Sequence, residues 1–298
     1  MKIGLLNVDG HSDFPPLALM KLSTWHKSQG DEVEIFFPMN SYDRVYKSKV
    51  FDFSPDFETC INATEVIEGG IAYGLENKLA EEVYHTMPDY SIYGIKDTAY
   101  GFLTRGCPRN CSFCNVTQHQ GNKSIKVSDL SEFWTGQKNI KLLDPNITAC
   151  KDWRKLFQQL IDSKAKVDFS QGIDIRTMTK EKAEYLNKIR WDMLHFAWDN
   201  YEMKTYKMLQ TCREYFKVDG RRLTVYVLVN YDTTIDQDLE RIYKLRALDY
   251  SPYVMIFDKR NAPKKIKEIA RWVNNRFIWR SCETFDEYRF VKETNAEF

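Results

Sequence analysis

The chain of 298 residues lacks an excess of charge of either sign and is poor in glycine and proline. Its 43 Lys and Arg side chains nearly balance 42 Asp and Glu, for a net charge of +1. This balance gives no electrostatic bias toward a nucleic acid or a membrane surface. Only 13 Gly and 9 Pro accompany a hydrophobic fraction of 43 %, which excludes collagen-like, low-complexity and disordered chains. The composition predicts a globular protein with a substantial core.

Long apolar runs are also missing. The run Leu223–Asn230 stops well short of the ~20 residues that a membrane helix needs. The opening residues MKIGLLNVDG contain no apolar core of a secretory signal, so we expect a cytoplasmic protein without a membrane partner. Seven cysteines cannot all pair, and three of them fall within eight residues, so a secreted disulfide framework is not expected.

Strand and helix patterns alternate from the first residues. Apolar residues at helical spacing over Phe14–Gln29 follow a short strand, and three further strands come before Gly69-Gly70. The predicted strands are Lys2–Val8, Glu32–Phe37, Arg44–Phe51 and Thr64–Glu68. This alternation predicts a small, doubly wound, Rossmann-like α/β domain over residues 1–74, followed by a linker over residues 75–97.

A second series of six strand-helix units begins near residue 98. The strands are predicted near 100–104, 139–143, 166–170, 193–198, 222–229 and 253–257. Helices are predicted near 128–135, 151–163, 179–188, 202–216, 235–248 and 263–274. Six units predict a partial (βα)6 TIM-type barrel over residues 98–260, with ligands at the carboxyl ends of its strands.

The remaining residues, 261–298, are expected to form an extension that packs on the barrel, with a helix and a strand closing its open side. Part of this extension, Arg271–Arg280, mixes arginines with aromatic residues. Such a mixture also suits stacking on nucleic-acid bases, so a nucleic-acid partner stays open.

Cys107, Cys111 and Cys114 stand in C-x3-C-x2-C spacing directly after the first predicted barrel strand. Three thiolates at this spacing can hold three irons of a [4Fe–4S] cluster and leave the fourth iron open. The segment resembles the signature of the radical S-adenosylmethionine (SAM) superfamily, including Phe113 before the third cysteine, and the six units resemble that family's partial barrel. The alternative is a structural zinc site completed by His119, although no second C-x2-C pair is present.

The resemblance implies an enzyme of a specific kind. SAM chelates the open iron, the reduced cluster passes one electron to the sulfonium, and a 5′-deoxyadenosyl radical abstracts hydrogen from a substrate that the sequence does not identify. An electron donor such as flavodoxin or ferredoxin is then required. The alternatives are a methyltransferase or methylthiotransferase acting on RNA or protein, and a non-catalytic iron–sulfur or SAM-binding regulatory protein.

In the family resembled, SAM lies across the strand tips, and the predicted tips here are polar. We expect Arg176 to pair with the SAM carboxylate and Asn146 to meet its amino group, where the family commonly has Gly-Gly-Glu. Capping of the following helices is the alternative for Asp144 and Asp199. The expected SAM contacts are Phe113 beside the adenine, Asp174 or Gln171 at the ribose hydroxyls, and Asn115, Asn146, Arg176 and Asp199.

The segment Asp9-Gly10-His11 resembles the D-x-H-x-x-G motif of cobalamin-binding domains, with Phe14 at the glycine position. Ser48-Lys49-Val50 and Gly69-Gly70 resemble the later serine and double-glycine elements. This resemblance points to the superfamily branch with a cobalamin-binding-like N-terminal domain, and it makes cobalamin a possible cofactor. The alternative is a structural lid. The catalytic candidates are Asp9, His11 and His195, the last at a position able to face the barrel lumen.

Overall fold

A computed structural model describes residues 1–10, 14–74 and 77–295 of the chain. The fold is mixed α/β with parallel sheets, as predicted. Two compact units divide it, residues 1–167 and 168–298. The predicted domain boundaries after residues 74, 97 and 260 stay predictions. No helix in the described part is long and apolar enough to cross a membrane.

A four-stranded parallel sheet opens the first unit, in the order β2-β1-β3-β4. The helix α1 packs Leu19 and Leu22 against Ile3 and Leu5 of β1 to form its core. Within the described residues no helix lies between β2 and β4, so the sheet is parallel without the full set of helices of a doubly wound fold. The elements are β1 (Lys2–Asn7), α1 (Leu17–Ser28), β2 (Glu32–Ile35), β3 (Tyr42–Ser48) and β4 (Ala63–Gly69).

The two segments that resemble cobalamin-domain elements lie side by side at the ends of β3 and β4. Ser48 is the register partner of Gly69, and the Lys49 N–H donates to the Gly69 carbonyl over 3.0 Å. Gly70 has φ of +100°, and a Cβ there would lie 2.1 Å from the Lys49 oxygen. A glycine is therefore required at this close backbone approach, whatever the domain binds.

The rest of the first unit contains the cysteine motif. Strands β5 and β8 pair in parallel, with β9 beside β8, and β6 and β7 form a short antiparallel ladder that was not predicted. The elements are α2 (Glu81–Tyr84), β5 (Thr98–Gly101), β6 (Thr104–Arg105), α3 (Val116–Gln120), β7 (Ile125–Lys126), β8 (Asn139–Leu142), α4 (Trp153–Ser163) and β9 (Lys166–Phe169).

The helix predicted over residues 128–135 is wrong. Asp129 and Glu132 form a capping box, but only one 3-10 turn, Leu130–Glu132, follows it. Phe133 leaves helical geometry, and its ring is buried against the backbone at Gly101, where a Cβ would lie 2.3 Å from the ring. Tertiary packing of this ring outweighs the local helical signal.

The second unit is built on the parallel sheet β10-β11-β12. Phe196, Val225 and Val254 lie on its buried face, while His195 and Tyr253 occupy alternate positions that point to the other face. The elements are α5 (Lys180–Leu186), β10 (Leu194–Ala197), α6 (Met203–Tyr215), β11 (Leu223–Val229), α7 (Ile235–Ala247), β12 (Ser251–Ile256), α8 (Lys264–Asn274), α9 (Arg276–Ser281) and α10 (Phe285–Asn295).

All six strands predicted from residue 98 onward are present, within a few residues of their predicted bounds. The strand expected in the C-terminal extension is wrong, since its described residues form three helices and no strand. Trp272 of α8 is fully buried and contacts Trp279 and Phe285. These contacts bury aromatic surface that the short helices α9 and α10 need for stability.

A buried ion pair organises the carboxyl ends of β10 and β11. Arg241 and Asp238 are both fully buried and lie 2.6 Å apart. The Arg241 guanidinium also donates to the carbonyl oxygens of Trp198, Asp199 and Leu228. One buried cation thus ties the ends of two neighbouring strands together.

Replacing Arg241 with Ala should destabilise the chain by about 3 to 5 kcal/mol, because Asp238 and three strand-end carbonyls would lose their partner in the interior. Arg221→Ala is the matched control, since Arg221 pairs with Asp219 at the surface. Urea unfolding followed by circular dichroism measures both. Equal effects of the two substitutions would contradict the role given to Arg241.

Candidate metal and cofactor sites

The cysteine motif lies on a loop whose two ends are held together. Thr104 and Arg105 of β6 pair with Lys126 and Ile125 of β7, and the Cys107 N–H donates to the Gly121 carbonyl over 3.1 Å. Gly106 has φ of +81°, and a Cβ there would lie 2.2 Å from the Lys123 oxygen. Closure of the loop therefore requires glycine immediately before the first cysteine.

The three cysteines of this loop are partly or fully accessible. Cys107 and Cys111 are half-buried and Cys114 is exposed. The Cys114 N–H donates to the Cys111 carbonyl over 3.0 Å, a turn that leads into α3. Phe113 is half-buried, and the exposed Asn115 stands at the N-terminus of α3. In the described part, which includes all seven cysteines, no disulfide is formed.

The donor set fits an iron–sulfur cluster. Three thiols on one short, accessible loop supply the sulfur ligands that such clusters take. Nowhere in the described ranges are three His, Cys, Asp or Glu side chains gathered as a metal-binding group, so the sulfurs do not yet share a centre. Thiols have no attraction for one another, and metal binding itself normally draws such ligands together.

Asn146 contacts the motif directly. Its side chain is buried, and its Nδ2 donates to the Cys107 sulfur over 3.4 Å. The Ser124 hydroxyl donates to the Asn146 carbonyl over 2.7 Å, which ties the far end of the cysteine loop to the same residue. The structure thus places this predicted SAM contact beside a predicted cluster ligand.

Asp144, two residues earlier, supports the start of the loop. Its buried carboxylate accepts hydrogen bonds from the Leu103 and Thr104 backbone N–H groups and from the Thr104 hydroxyl. It therefore holds β6 and does not cap a helix. Burial raises the pKa of Asp144 to about 6, although the hydrogen bonds act in the opposite direction.

His119, the fourth ligand of the zinc alternative, lies on α3. Its Nδ1 is buried and has no hydrogen-bond partner among the described residues. Gln120, next to it, also has a buried side-chain oxygen without a partner. The unpartnered nitrogen is available as the fourth ligand of a zinc ion.

In the second unit, three predicted SAM contacts lie near one another at the carboxyl ends of β9 and β10. Arg176 donates through Nε to Asp174 over 2.8 Å, and Asp174 also accepts from the Arg176 backbone N–H. The positive charge of Arg176 lowers the pKa of Asp199, and the negative charge of Asp174 raises it. The expected pairing of Arg176 with a SAM carboxylate would use a guanidinium that Asp174 already orients.

Asp199 follows the carboxyl end of β10, and its carboxylate does not cap the next helix. Burial raises its pKa to about 6, and the positive charges of Arg176 and Arg241 offset part of that rise. The helix α6 begins four residues later, at Met203, and its N-cap residue is Glu202, so the capping alternative does not hold for Asp199. A strongly perturbed carboxylate at a strand end is a feature of functional sites.

Two other predicted residues lie on the wall of a cavity of about 1050 Å³ in the second unit. They are Gln171 and the catalytic candidate His195. His195 stacks on Tyr226, with ring centroids 5.3 Å apart and an interplanar angle of 4°. Burial lowers the pKa of His195, which favours the neutral form of its ring.

The remaining catalytic candidates lie after β1. Asp9 is buried, and its carboxylate accepts hydrogen bonds from the Val50 N–H and the Ser54 hydroxyl. It therefore joins the loop after β1 to the loop after β3, a structural role that sequence analysis missed. His11, the expected cobalt ligand, lies outside the described residues.

Comparison of the chain with profiles of known protein families and with curated proteins finds no match in either. Membership of the radical SAM superfamily therefore stays a prediction. The same holds for the predicted cofactors, the cytoplasmic location and the electron-donating partner.

The buried carboxylate of Asp144 generates a prediction about pH. The folded state binds this proton more tightly than the unfolded state, so its contribution to stability falls as pH rises from about 4 to about 6. The free energy of unfolding of the wild type, minus that of Asp144→Asn, should fall by roughly 3 kcal/mol across this range. Urea titrations at a series of pH values measure it.

Thr104→Val provides the companion test. The Thr104 hydroxyl lowers the pKa of Asp144, so its removal should extend the fall in stability to higher pH. If the free energy of unfolding depended on pH in the same way in the wild type, Asp144→Asn and Thr104→Val, the pKa shift assigned to Asp144 would be contradicted.

Proposed function

We propose that the chain is a radical SAM enzyme in which Cys107, Cys111 and Cys114 hold a [4Fe–4S] cluster. The observation that carries the proposal is the C-x3-C-x2-C motif on a closed loop that follows β5, the first strand of a parallel sheet, and the short strand β6. That is the position in which the family resembled carries its cluster. We further propose a Rossmann-like N-terminal domain and a partial (βα)6 barrel as the finer description of the fold.

Residues around the motif support this assignment. Asp144 and the β6–β7 ladder hold both ends of the loop, while the three thiols stay accessible. Asn146 donates to the Cys107 sulfur, and hydrogen bonds to ligand sulfurs tune the potential of iron–sulfur clusters. The loop therefore has a rigid base and a sulfur-rich surface.

When bound, such a cluster supplies an iron open to SAM and one electron for cleavage of the sulfonium. In the second unit, we propose that Arg176, oriented by Asp174, binds a carboxylate and that Asp199 accepts hydrogen bonds from hydroxyl or amino groups. Phe113, Asn115, Asn146 and Gln171 stay proposed SAM contacts. A cluster of this kind fits the reducing cytoplasm, with flavodoxin or ferredoxin as electron donor.

A structural zinc site is the second candidate, favoured by the unpartnered Nδ1 of His119 on the helix that follows the motif. A tetrahedral Cys3His set is a regular zinc site. The two candidates differ in metal, in acid-labile sulfide and in the need for His119, so one set of variants separates them.

Anaerobic reconstitution with iron and sulfide should yield about four irons and four sulfides per chain, with the broad visible absorption of an iron–sulfur cluster. Any one of Cys107→Ala, Cys111→Ala or Cys114→Ala should lose most of this iron, because each removes a thiolate ligand. Cys60→Ala is the matched control, since Cys60 is exposed and lies outside the motif. Iron and sulfide analysis with absorption spectra gives the readout.

His119→Ala completes this set and should keep the iron. Zinc bound without iron, and lost in His119→Ala as well as in the cysteine variants, would replace the cluster proposal with the zinc site. Equal iron and equal zinc in the Cys60 and Cys107 variants would contradict both.

Reductive cleavage of SAM tests the enzymatic part of the proposal. With dithionite and SAM, the reconstituted wild type should form 5′-deoxyadenosine, and Arg176→Gln should raise the SAM concentration needed for half-maximal formation by about tenfold, because a charged hydrogen bond is lost. Arg271→Gln, an exposed arginine on α8, is the control. Chromatography and mass spectrometry measure the product. SAM binding without deoxyadenosine would instead indicate the non-catalytic regulatory alternative.

A further inference from the structure

The cavity of about 1050 Å³ in the second unit includes Gln171 and His195 in its wall, but most of its lining has no role in the proposed cluster chemistry. Its wall includes Gly220 and Arg221 just before β11, and Asp249–Ser251 at the start of β12. These are the amino ends of the strands, whereas Asp174, Arg176 and Asp199 follow the carboxyl ends of β9 and β10. The volume is large enough for a small organic ligand.

One part of the wall is aromatic and lies on the less buried face of the sheet. His195 stacks on Tyr226, and Tyr226 meets Tyr253 edge to face with ring centroids 5.7 Å apart. Tyr253 and Met255 keep nearly half of their surface exposed. The wall thus offers flat apolar surface to a ligand.

Two buried polar side-chain atoms of this wall lack partners in the described part of the chain. Among the described residues the His195 ring makes no hydrogen bond, and its Nδ1 is buried. The Ser170 hydroxyl, which lines the same cavity, is also buried without a partner. Unsatisfied polar groups at a cavity wall are costly unless a bound molecule or water completes them.

Another part of the wall carries positive charge. Arg276 and Arg280 stand four residues apart on α9, and neither forms an ion pair or side-chain hydrogen bond within the described chain. Two other lining arginines are engaged, Arg221 by Asp219 and Arg246 by backbone carbonyls.

Acidic groups do not balance these cations. Asp249, the acidic residue of the described wall, is paired with Arg213 over 2.6 Å. Asp168 lies outside the wall. Its negative charge is close enough to His195 and Tyr226 to raise the pKa of both. The net charge of the wall is therefore positive, and Arg276 and Arg280 are the lining arginines whose side chains have no partner within the described chain.

We propose that this cavity binds a small organic anion with a planar ring, its phosphate or carboxylate held by Arg276 and Arg280 and its ring against Tyr253. His195 supplies a hydrogen bond to a polar group of the ring. The two arginines belong to the segment Arg271–Arg280, whose arginine and aromatic composition suits stacking on bases. The binding proposed here needs neither a bound cluster nor SAM, and its test is separate from theirs.

Isothermal titration of the full chain, without added iron or SAM, tests the proposal. The probes are uridine 5′-monophosphate and orotate, which carry a phosphate and a ring carboxylate respectively. Uridine, which lacks the phosphate, and inorganic phosphate, which lacks the ring, are the comparison ligands and represent the two halves of the first probe. At least one of the two ring anions should bind more than tenfold more tightly than either half.

The double substitution Arg276→Gln and Arg280→Gln should weaken that binding more than tenfold, because two charged hydrogen bonds are lost. Arg271→Gln is the matched control: its side chain is exposed, lies on the neighbouring α8 and does not line the cavity, so binding should be unchanged. His195→Phe keeps the ring stacked on Tyr226 but removes its nitrogens, and should weaken the ring anion without changing binding of phosphate.

Three results would overturn the proposal. The first is that neither ring anion binds. The second is that uridine binds as tightly as uridine 5′-monophosphate while orotate does not bind. The third is that the double variant binds the ring anion as tightly as the wild type does. Tight binding of a uridine-rich RNA oligonucleotide in the absence of mononucleotide binding would also overturn it, in favour of a nucleic-acid surface. Deoxyadenosine formation is measured separately, so failure here leaves the cluster proposal to its own test.

Discussion

The buried carboxylate of Asp144 is the constraint on which the cysteine loop depends. It binds the backbone N–H groups of Leu103 and Thr104, three residues before Cys107, and so decides where the loop leaves the sheet. A buried carboxylate is costly, and this cost is offset only while those donors stay in place. The positions of Gly106 and Asn146, and with them the surroundings of Cys107, follow from this interaction.

The second unit uses the opposite charge for a similar purpose. Arg241 is buried among the ends of β10 and β11, where it satisfies carbonyl oxygens that no further strand residues can reach. Strand ends leave such groups unpaired, and ligand sites of parallel sheets commonly form there. Asp199, whose backbone carbonyl Arg241 holds, thereby keeps its carboxylate available at a strand end.

Local patterns predicted the strands well and the irregular segments poorly. The alternation of apolar residues located all six strands from residue 98 onward, because each strand has one buried face. The helix expected at 128–135 does not form, because Phe133 packs at Gly101 and leaves helical geometry. The β6–β7 ladder was missed, since two-residue strands carry no periodic signal. The same holds for the candidate residues. The motif identifies the cysteines from the sequence, whereas the hydrogen bond from the Val50 N–H to Asp9 joins residues 41 positions apart and carries no local signal.

The sequence by itself determined the chemical types: three thiols at a cluster-like spacing, polar residues after each strand, and a pair of arginines among aromatic residues. These follow from residue identity and short spacing, which no folding alters. Tertiary structure decided which of them meet. It brought Asn146 to Cys107, and Arg276 and Arg280 to one cavity wall with His195, because those contacts depend on strand order and helix packing between residues far apart in the chain.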